Sequence, residues 1–449
     1  MHGVKALSAK AVMLLSAALM LVSVSVGTQA DSLSKTVQKD YERYLENLFD
    51  HFHRHPELSL MEHATAARLA SELRDAGFTV TEGVGGTGVV GLLENGPGPT
   101  VMMRADMDGL PVEEKSGLPN ASRAKQLDWD GNEVFVMHAC GHDVHITSLV
   151  GTARYMSNHR DEWTGTLMLI GQPAEEKVAG ARAMMADKLW ERFGMPDYGL
   201  AFHVTAGVPT GKLIAVEGSP YSGSISVDVV IPGVGAHGAY PHQGIDPVVL
   251  GSQIVLGLQT VVSRSLPPRE PGVITVGSFH AGTKHNIISD QARLQLSVRS
   301  ESTESRDLLL DGIQRVAENM GRVAGLPEDN LPHVIISQES VPPTLNNIPL
   351  TSRLRRAWQE ALGEGVLYEA KRLGMGAEDF PFFVTDPYIP STYFKVGGTP
   401  QRDIDVAEKG GTPVASHHSP LFKIDAKGSV TLGVEATVVA LKELMPAQR

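Results

Sequence analysis

The 449-residue chain has a single cysteine, Cys140, so no disulfide can close within it. That excludes the small disulfide-framed folds of many secreted proteins. Basic residues are in deficit, 39 Lys and Arg against 51 Asp and Glu, for a formal net charge of −12. An acidic balance argues against polyanionic partners, both nucleic acid and anionic membrane. The chain has no low-complexity tract and no internal repeat, which sets aside solenoids and propellers. A bilayer-spanning run is missing too: the one long uncharged stretch, "AVMLLSAALMLVSVSV", stands near the start and is short for a span.

That stretch follows "MHGVKALSAK", which carries Lys5 and Lys10 and no acid, and precedes the small residues of "GTQA". A basic start, an apolar centre and a small-residue cleavage site describe a secretory signal peptide over residues 1–30. The mature protein is then expected outside the cytoplasm, periplasmic or secreted, with no membrane contact after cleavage. In an oxidising space a lone cysteine is a buried apolar residue, an intermolecular link, a nucleophile or a metal ligand.

What is present is an ordinary globular mix, 42% apolar and 20% charged, in a chain long enough for more than one domain. "VQKDYERYLENLFDHFHRHP" and "HATAARLASELRDAG" have helical spacing. "GVVGLLEN", "TVMMRAD", "TLMLIG" and "YGLAFHV" are short apolar runs bounded by turn residues, hence strands. Apolar strands without strict alternation, separated by helices, predict an α/β domain with a mixed, mainly parallel sheet covered on both faces. Near Tyr221 the pattern changes. "SISVDVVI", a helix, "GVITVGSFHAG", "ARLQLSVRS", a second helix and "HVIISQE" follow the β-α-β-β-α-β order of a ferredoxin-like domain. The expected organisation is a catalytic domain over 31–220 and 341–449, with a domain inserted over 221–340. Two G-x-G-x-x-G matches, "GVGGTG" (83–88) and "GVGAHG" (233–238), lack the helix a dinucleotide site needs and read as turns.

Active sites of parallel sheets lie beyond the carboxyl ends of the strands. "TVMMRADMD" ends there on Asp106 and Asp108, "TLMLIGQPAEE" on Glu175 and Glu176, and "YGLAFHV" on His203. "VMHACGHDVH" offers Cys140 and His142 ahead of a helix, and "SHHSPLF" adds His417 and His418. A thiolate, imidazoles and carboxylates on one sheet edge suit a divalent ion near zinc in softness: zinc, manganese, cobalt or nickel. Such an ion can lower the pKa of a bound water, and a carboxylate beside it can serve as general base.

These residues closely resemble the amidohydrolase branch of the co-catalytic metallopeptidase (aminoacylase/carboxypeptidase) family, which includes hippurate hydrolases, N-acyl-amino-acid amidohydrolases and auxin-conjugate hydrolases. The matching stretches are "HRHPELS", "MRADMDGLPVEE", "MHACGHD", "GQPAEE", "FHV", "GAHGAYPHQGIDPV", "HNII", "GAEDF" and "HSPLF", in the family's order. The resemblance implies two divalent ions per subunit. Cys140 would bridge them, His142 and His203 would complete one site, and Glu176 and His418 the other. It implies Glu175 as general base and Asp106 as the carboxylate orienting a ligand. His138, His145 and His417 fall on no ligand position. The inserted domain would be a lid through which the chain forms a homodimer, with His237 reaching the partner's substrate. Asn286 and Arg299 would hold the substrate carboxylate side by side. The expected substrate is a small N-acyl amino acid. Rival readings are a dipeptidase or carboxypeptidase with the same machinery, a thiol hydrolase using Cys140, and a non-catalytic exported metal-binding protein. Departures from the family pattern, among them Thr205, Ser289 and the lengthened loop "LDWDGNEVF", bear on the substrate rather than on the ligands.

Overall fold

The computed structural model describes residues 33–337, 339–369 and 374–447; the signal peptide expected over 1–30 lies outside them. Among the described residues no helix is long and apolar enough to cross a membrane. Two sheets carry the architecture. Their strands, in chain order, are β1 (Thr79–Val84), β2 (Gly88–Asn95), β3 (Thr100–Asp106), β4 (Gly165–Gln172), β5 (Tyr198–Pro209), β6 (Leu213–Ile214), β7 (Gly223–Pro232), β8 (Gly272–Ala281), β9 (Gln291–Ser300), β10 (His333–Ile336) and β11 (Ser391–Thr399). The main helices are α1 (Glu46–Arg54), α2 (His63–Asp75), α3 (His142–Asn158), α4 (Pro247–Thr260), α5 (Thr303–Val323), α6 (Ile348–Leu362) and α7 (Ala426–Leu444).

The larger sheet has seven strands in the order β1-β2-β4-β3-β5-β11-β6. Its centre, β4-β3-β5-β11, is parallel. The β1-β2 hairpin and β6 run antiparallel at the two edges. Both faces of the central strands are apolar because both are covered. Val101, Met103, Leu167, Leu169, Leu200 and Phe202 pack in one cluster with residues of α1, α2, α3, α6 and α7. The intervening Met102, Met168, Ile170 and Ala201 pack on the other face with Trp190, Phe380 and Phe383. This two-sided burial is why these strands show no polar alternation.

The smaller sheet has the order β8-β9-β7-β10, all antiparallel, which is the ferredoxin-like arrangement. Here alternation is clean. Ile225, Val227, Val229 and Ile231 of β7 and Leu294, Leu296 and Val298 of β9 are buried with α4 and α5, in a cluster separate from those of the larger sheet. The chain enters and leaves this unit through a short antiparallel pair, Gly218–Tyr221 with Thr344–Asn346.

Two elements have weaker signals in the sequence. Helix α6 has an amphipathic pattern and is capped by Asn347, whose side chain accepts from the Leu350 N–H. The loop "LDWDGNEVF" folds as a small hairpin, Lys125–Leu127 with Glu133–Phe135. The first glycine motif forms the β1-β2 turn, with Gly85 and Gly86 at positive φ. The second contributes a two-residue strand, Ala236–His237, paired with Ile287–Ile288.

Candidate metal centre

The carboxyl ends of β3, β4, β5 and β11 lie at the same side of the sheet, and the chemical groups gather there. Asp106 is the last residue of β3. Glu175 and Glu176 follow β4 in a loop with two non-glycine residues at positive φ, Ala174 and Val178. His203 is on β5, Cys140 and His142 bracket the start of α3, and His418 stands between β11 and α7. His418 also has a positive φ, 64°. Strained backbone at non-glycine positions persists where the surroundings fix it.

Two triads emerge. The donor atoms of Cys140, His142 and His203 lie within 4.8 Å of one another, as do those of Cys140, Glu176 and His418. Cys140 belongs to both. Its Sγ is 3.3 Å from His203 Nε2 and 3.3 Å from His418 Nε2, and His418 Nε2 is 3.4 Å from Glu176 Oε1.

The residues fit a cation. His142 Nδ1 sits 2.8 Å from the Asp108 carbonyl oxygen and donates to it, so in the neutral ring Nε2 carries the free lone pair. That Nε2 is buried without a hydrogen-bond partner, and so is Glu176 Oε1. A buried polar atom left unpaired is costly, and a ligand histidine characteristically donates its other N–H to a carbonyl or carboxylate. The protein alone disfavours a Cys140 thiolate. Burial, and after it the Glu176, Glu175 and Asp106 carboxylates, push the thiol well above its ordinary range. A cation would reverse that sign.

The carboxylates differ in surroundings. Asp106 is held well below the usual carboxylate range: burial opposes this, but Arg104, His142 and His145 outweigh it. Arg104, itself fully buried, donates to Asp106 at 2.6 Å, Gln172 at 2.6 Å and Glu378 at 2.8 Å. Glu175 is the opposite case. Burial, then Glu378, Glu176 and Asp379, raise its pKa well above the ordinary value. Asp108 accepts from Ser59 Oγ and from the Glu176 N–H. The buried Glu62 carboxylate accepts from the Ala174 N–H and from Thr87 Oγ1, so it ties the twin-glutamate loop to α2 and to the β1-β2 turn.

The three histidines outside the expected ligand set are also placed. The Val204 N–H donates to His145 Nε2, so His145 Nδ1 carries its proton toward Asp106; both ring nitrogens are committed. His138 is buried 6.5 Å, ring to ring, from His142. His417 Nδ1 lies 3.7 Å from the thiol. Arg104, Asp108, Glu62 and Glu378 are the supporting groups that sequence reasoning left without roles. Glu378 is visible only as the acid of "GAEDF", because its partners are far apart in the chain.

The lid residues stand apart. His237 lies in the two-stranded ribbon and Asn286 immediately precedes its second strand, both exposed. Arg299, half-buried near the end of β9, donates to Ser297 Oγ and to the Met375 carbonyl oxygen. The expectation that Asn286 and Arg299 lie side by side is corrected. Asn286 precedes β9, and Arg299 is near the far end of that strand, about 27 Å from its first residue, Gln291, at about 3.4 Å per residue. None of the three touches the two triads.

Gly141, between Cys140 and His142, has φ 89°, and a Cβ there would stand 2.4 Å from Val204 Cγ1. Gly141→Ala is expected to destabilise the protein by about 1–3 kcal/mol from backbone strain, with the clash added, and to reduce bound metal. Denaturant titration and metal analysis check this. An unchanged midpoint with full metal would show that the turn repacks freely.

Fold and site together define a metal-dependent hydrolase of amide bonds, built on a catalytic sheet with an inserted lid. The chain belongs to peptidase family M20/M25/M40, whose model matches residues 102–410. It is 34% identical to the hippurate hydrolase of Campylobacter jejuni, over 77% of this chain and 86% of that protein. It is 33% identical to thermostable carboxypeptidase 2 of Saccharolobus solfataricus, over 86% of this chain and 92% of that one. Among solved structures, the Bacillus subtilis YXEP protein, a dinuclear metal binding peptidase from the M20 family, superposes with a TM-score of 0.73. Its sequence is 26% identical, with 91% of this chain and 100% of that chain covered.

Proposed function

We propose that the chain is an exported amidohydrolase with two divalent ions, cleaving N-acyl amino acids of the hippurate type into a carboxylic acid and an amino acid. The observation that carries this is the pair of triads sharing Cys140, with Glu175 beside them. His142 and His203 would hold one ion, Glu176 and His418 the other, and Cys140 both. Bound there, zinc, manganese, cobalt or nickel supplies a polarised amide carbonyl and a water of lowered pKa.

The chain's own residues do the rest. Glu175, whose proton affinity is raised by burial, accepts as its carboxylate the proton of the attacking water and returns it to the leaving nitrogen. Asp106, clamped by Arg104 and His145, keeps the ligand shell in place. The separation of the His237–Asn286 ribbon from Arg299 supports a homodimer in which one subunit's ribbon serves its partner's site. His237 would then donate to the developing oxyanion. Export rests on the leader read in residues 1–30.

Arg299 is proposed to bind the free α-carboxylate of the leaving amino acid. A charge-assisted contact contributes about 1.5–3 kcal/mol, roughly ten- to a hundred-fold. Hippurate is expected to outpace its amide by at least that factor in kcat/KM, and Arg299→Ala to erase most of the difference. Equal turnover of acid and amide by the parent enzyme refutes the assignment. Including glycyl dipeptides in the same assay decides between this reading and the carboxypeptidase-like one, which the 33% identical relative favours.

A further inference from the structure

Two consecutive histidines approach the same sulfur and do different things. His418 turns its Nε2 to Cys140 Sγ and Glu176 Oε1, the position of a ligand. His417 uses both ring nitrogens otherwise. The Ala206 backbone N–H lies 3.1 Å from His417 Nε2. An amide N–H only donates, so Nε2 is the bare, accepting nitrogen. A neutral imidazole has one proton, which therefore sits on Nδ1. That nitrogen faces Cys140 Sγ at 3.7 Å. Phe422 and His203 flank the ring, with ring centroids 4.9 and 5.2 Å away.

We infer that His417 is a positioning residue of the metal centre, whose Nδ1–H donates a hydrogen bond to the Cys140 sulfur while Nε2 fastens the ring to Ala206, three residues beyond His203 on β5. The inference rests on Cys140 serving as a metal-bound thiolate. A thiolate sulfur is the soft, polarisable donor common to both triads. A hydrogen bond to it stabilises its lone pairs and fixes the direction in which they point. Through Ala206 the same ring locks the Cys140 turn to the strand that carries His203. The two triads are thereby held in register from one side chain.

The geometry separates the two contacts experimentally. In His417→Asn the side-chain amide nitrogen takes the place of Nδ1 and can still donate to sulfur, while the Ala206 contact is lost. In His417→Gln the amide oxygen takes the place of Nε2 and can still accept from Ala206, while the donor to sulfur is lost. The full chain loaded with cobalt reports both metal affinity and the sulfur-to-cobalt charge-transfer band. His417→Gln is expected to bind cobalt roughly 10- to 100-fold more weakly, whereas His417→Asn stays within about threefold of the parent. The band should move to longer wavelength in His417→Gln and stay in place in His417→Asn. Should His417→Gln not fold, His417→Ala must show the same red shift. Parental behaviour of His417→Gln on both readouts overturns the inference, as does an His417→Asn variant as impaired as His417→Gln, since the ring would then serve only packing. A parent protein with no sulfur-to-cobalt band overturns the shared-thiolate reading itself, and this inference with it.

Discussion

Glu175→Gln is expected to keep its full metal content and to lose turnover by roughly two to four powers of ten, the contribution of a positioned general base. Both glutamates of the pair come within 3.9 Å of His142 Nε2, so proximity alone does not separate base from ligand. Their other neighbours do. Glu176 Oε1 is unpartnered and also faces His418. Glu175 sits instead in a buried cluster with Glu378 and Asp379, where its proton affinity is raised. Glu176→Gln should therefore lose metal from one position, and Glu175→Gln should not. Metal analysis beside single-turnover rates measures the difference, and the reverse pattern would exchange the two roles. The same variant tests the lid: mixed with inactive His237→Ala subunits, Glu175→Gln should recover part of the activity in hybrid dimers. No recovery in verified hybrids would mean that each subunit works alone.

Cys140→Ser should be the more severe loss. Serine is nearly isosteric, but its hydroxyl is harder than a thiol and does not ionise near neutral pH, so it replaces a shared anionic donor with a neutral one. Both triads lose their common member. Metal content is expected to fall from two ions toward one or none, and hydrolysis to become undetectable. The apoprotein should remain folded, because the serine fills nearly the same buried space. Two ions and normal turnover in Cys140→Ser would remove the thiolate from the mechanism.

Much of this site is legible in the chain because its parts are local. "HACGHD" and "PAEE" each bring ligand-type residues within a few positions, and the apolar runs before them are strands whose ends define a sheet edge. The ferredoxin-like unit is legible for the same reason, since its alternation is carried by single strands such as Ile225–Val227–Val229–Ile231. What the sequence hides is long-range. The clamp of Arg104 on Glu378 joins residues 274 positions apart, and nothing near either of them announces the other. Tautomers are equally invisible. His145 and His417 are distinguished from His142 and His418 only by which backbone N–H meets each ring. Asn286 and Arg299 look like neighbours in a loop-then-strand segment, but adjacency along the chain is not adjacency in space: a strand carries its two ends apart.

Strand β11 lies between β5 and β6 in the finished sheet, yet it is among the last segments of the chain. A ribosome delivers the lid, residues 223–336, as one contiguous stretch that can fold from contacts within itself. The catalytic layer has no such option. When the lid emerges, β5 still has an open parallel edge, and α3 still lacks α7, whose Gly433 and Val434 pack against Ser148, Phe202 and Gly151. Pairing across this interval brings together residues some two hundred positions apart, the kind of closure that is slow and leaves edges open to other chains. His417 and His418 arrive later still. The candidate metal centre is thus completed only once the segment carrying His417 and His418 has been made, and a chain interrupted before it has a complete lid over half a site.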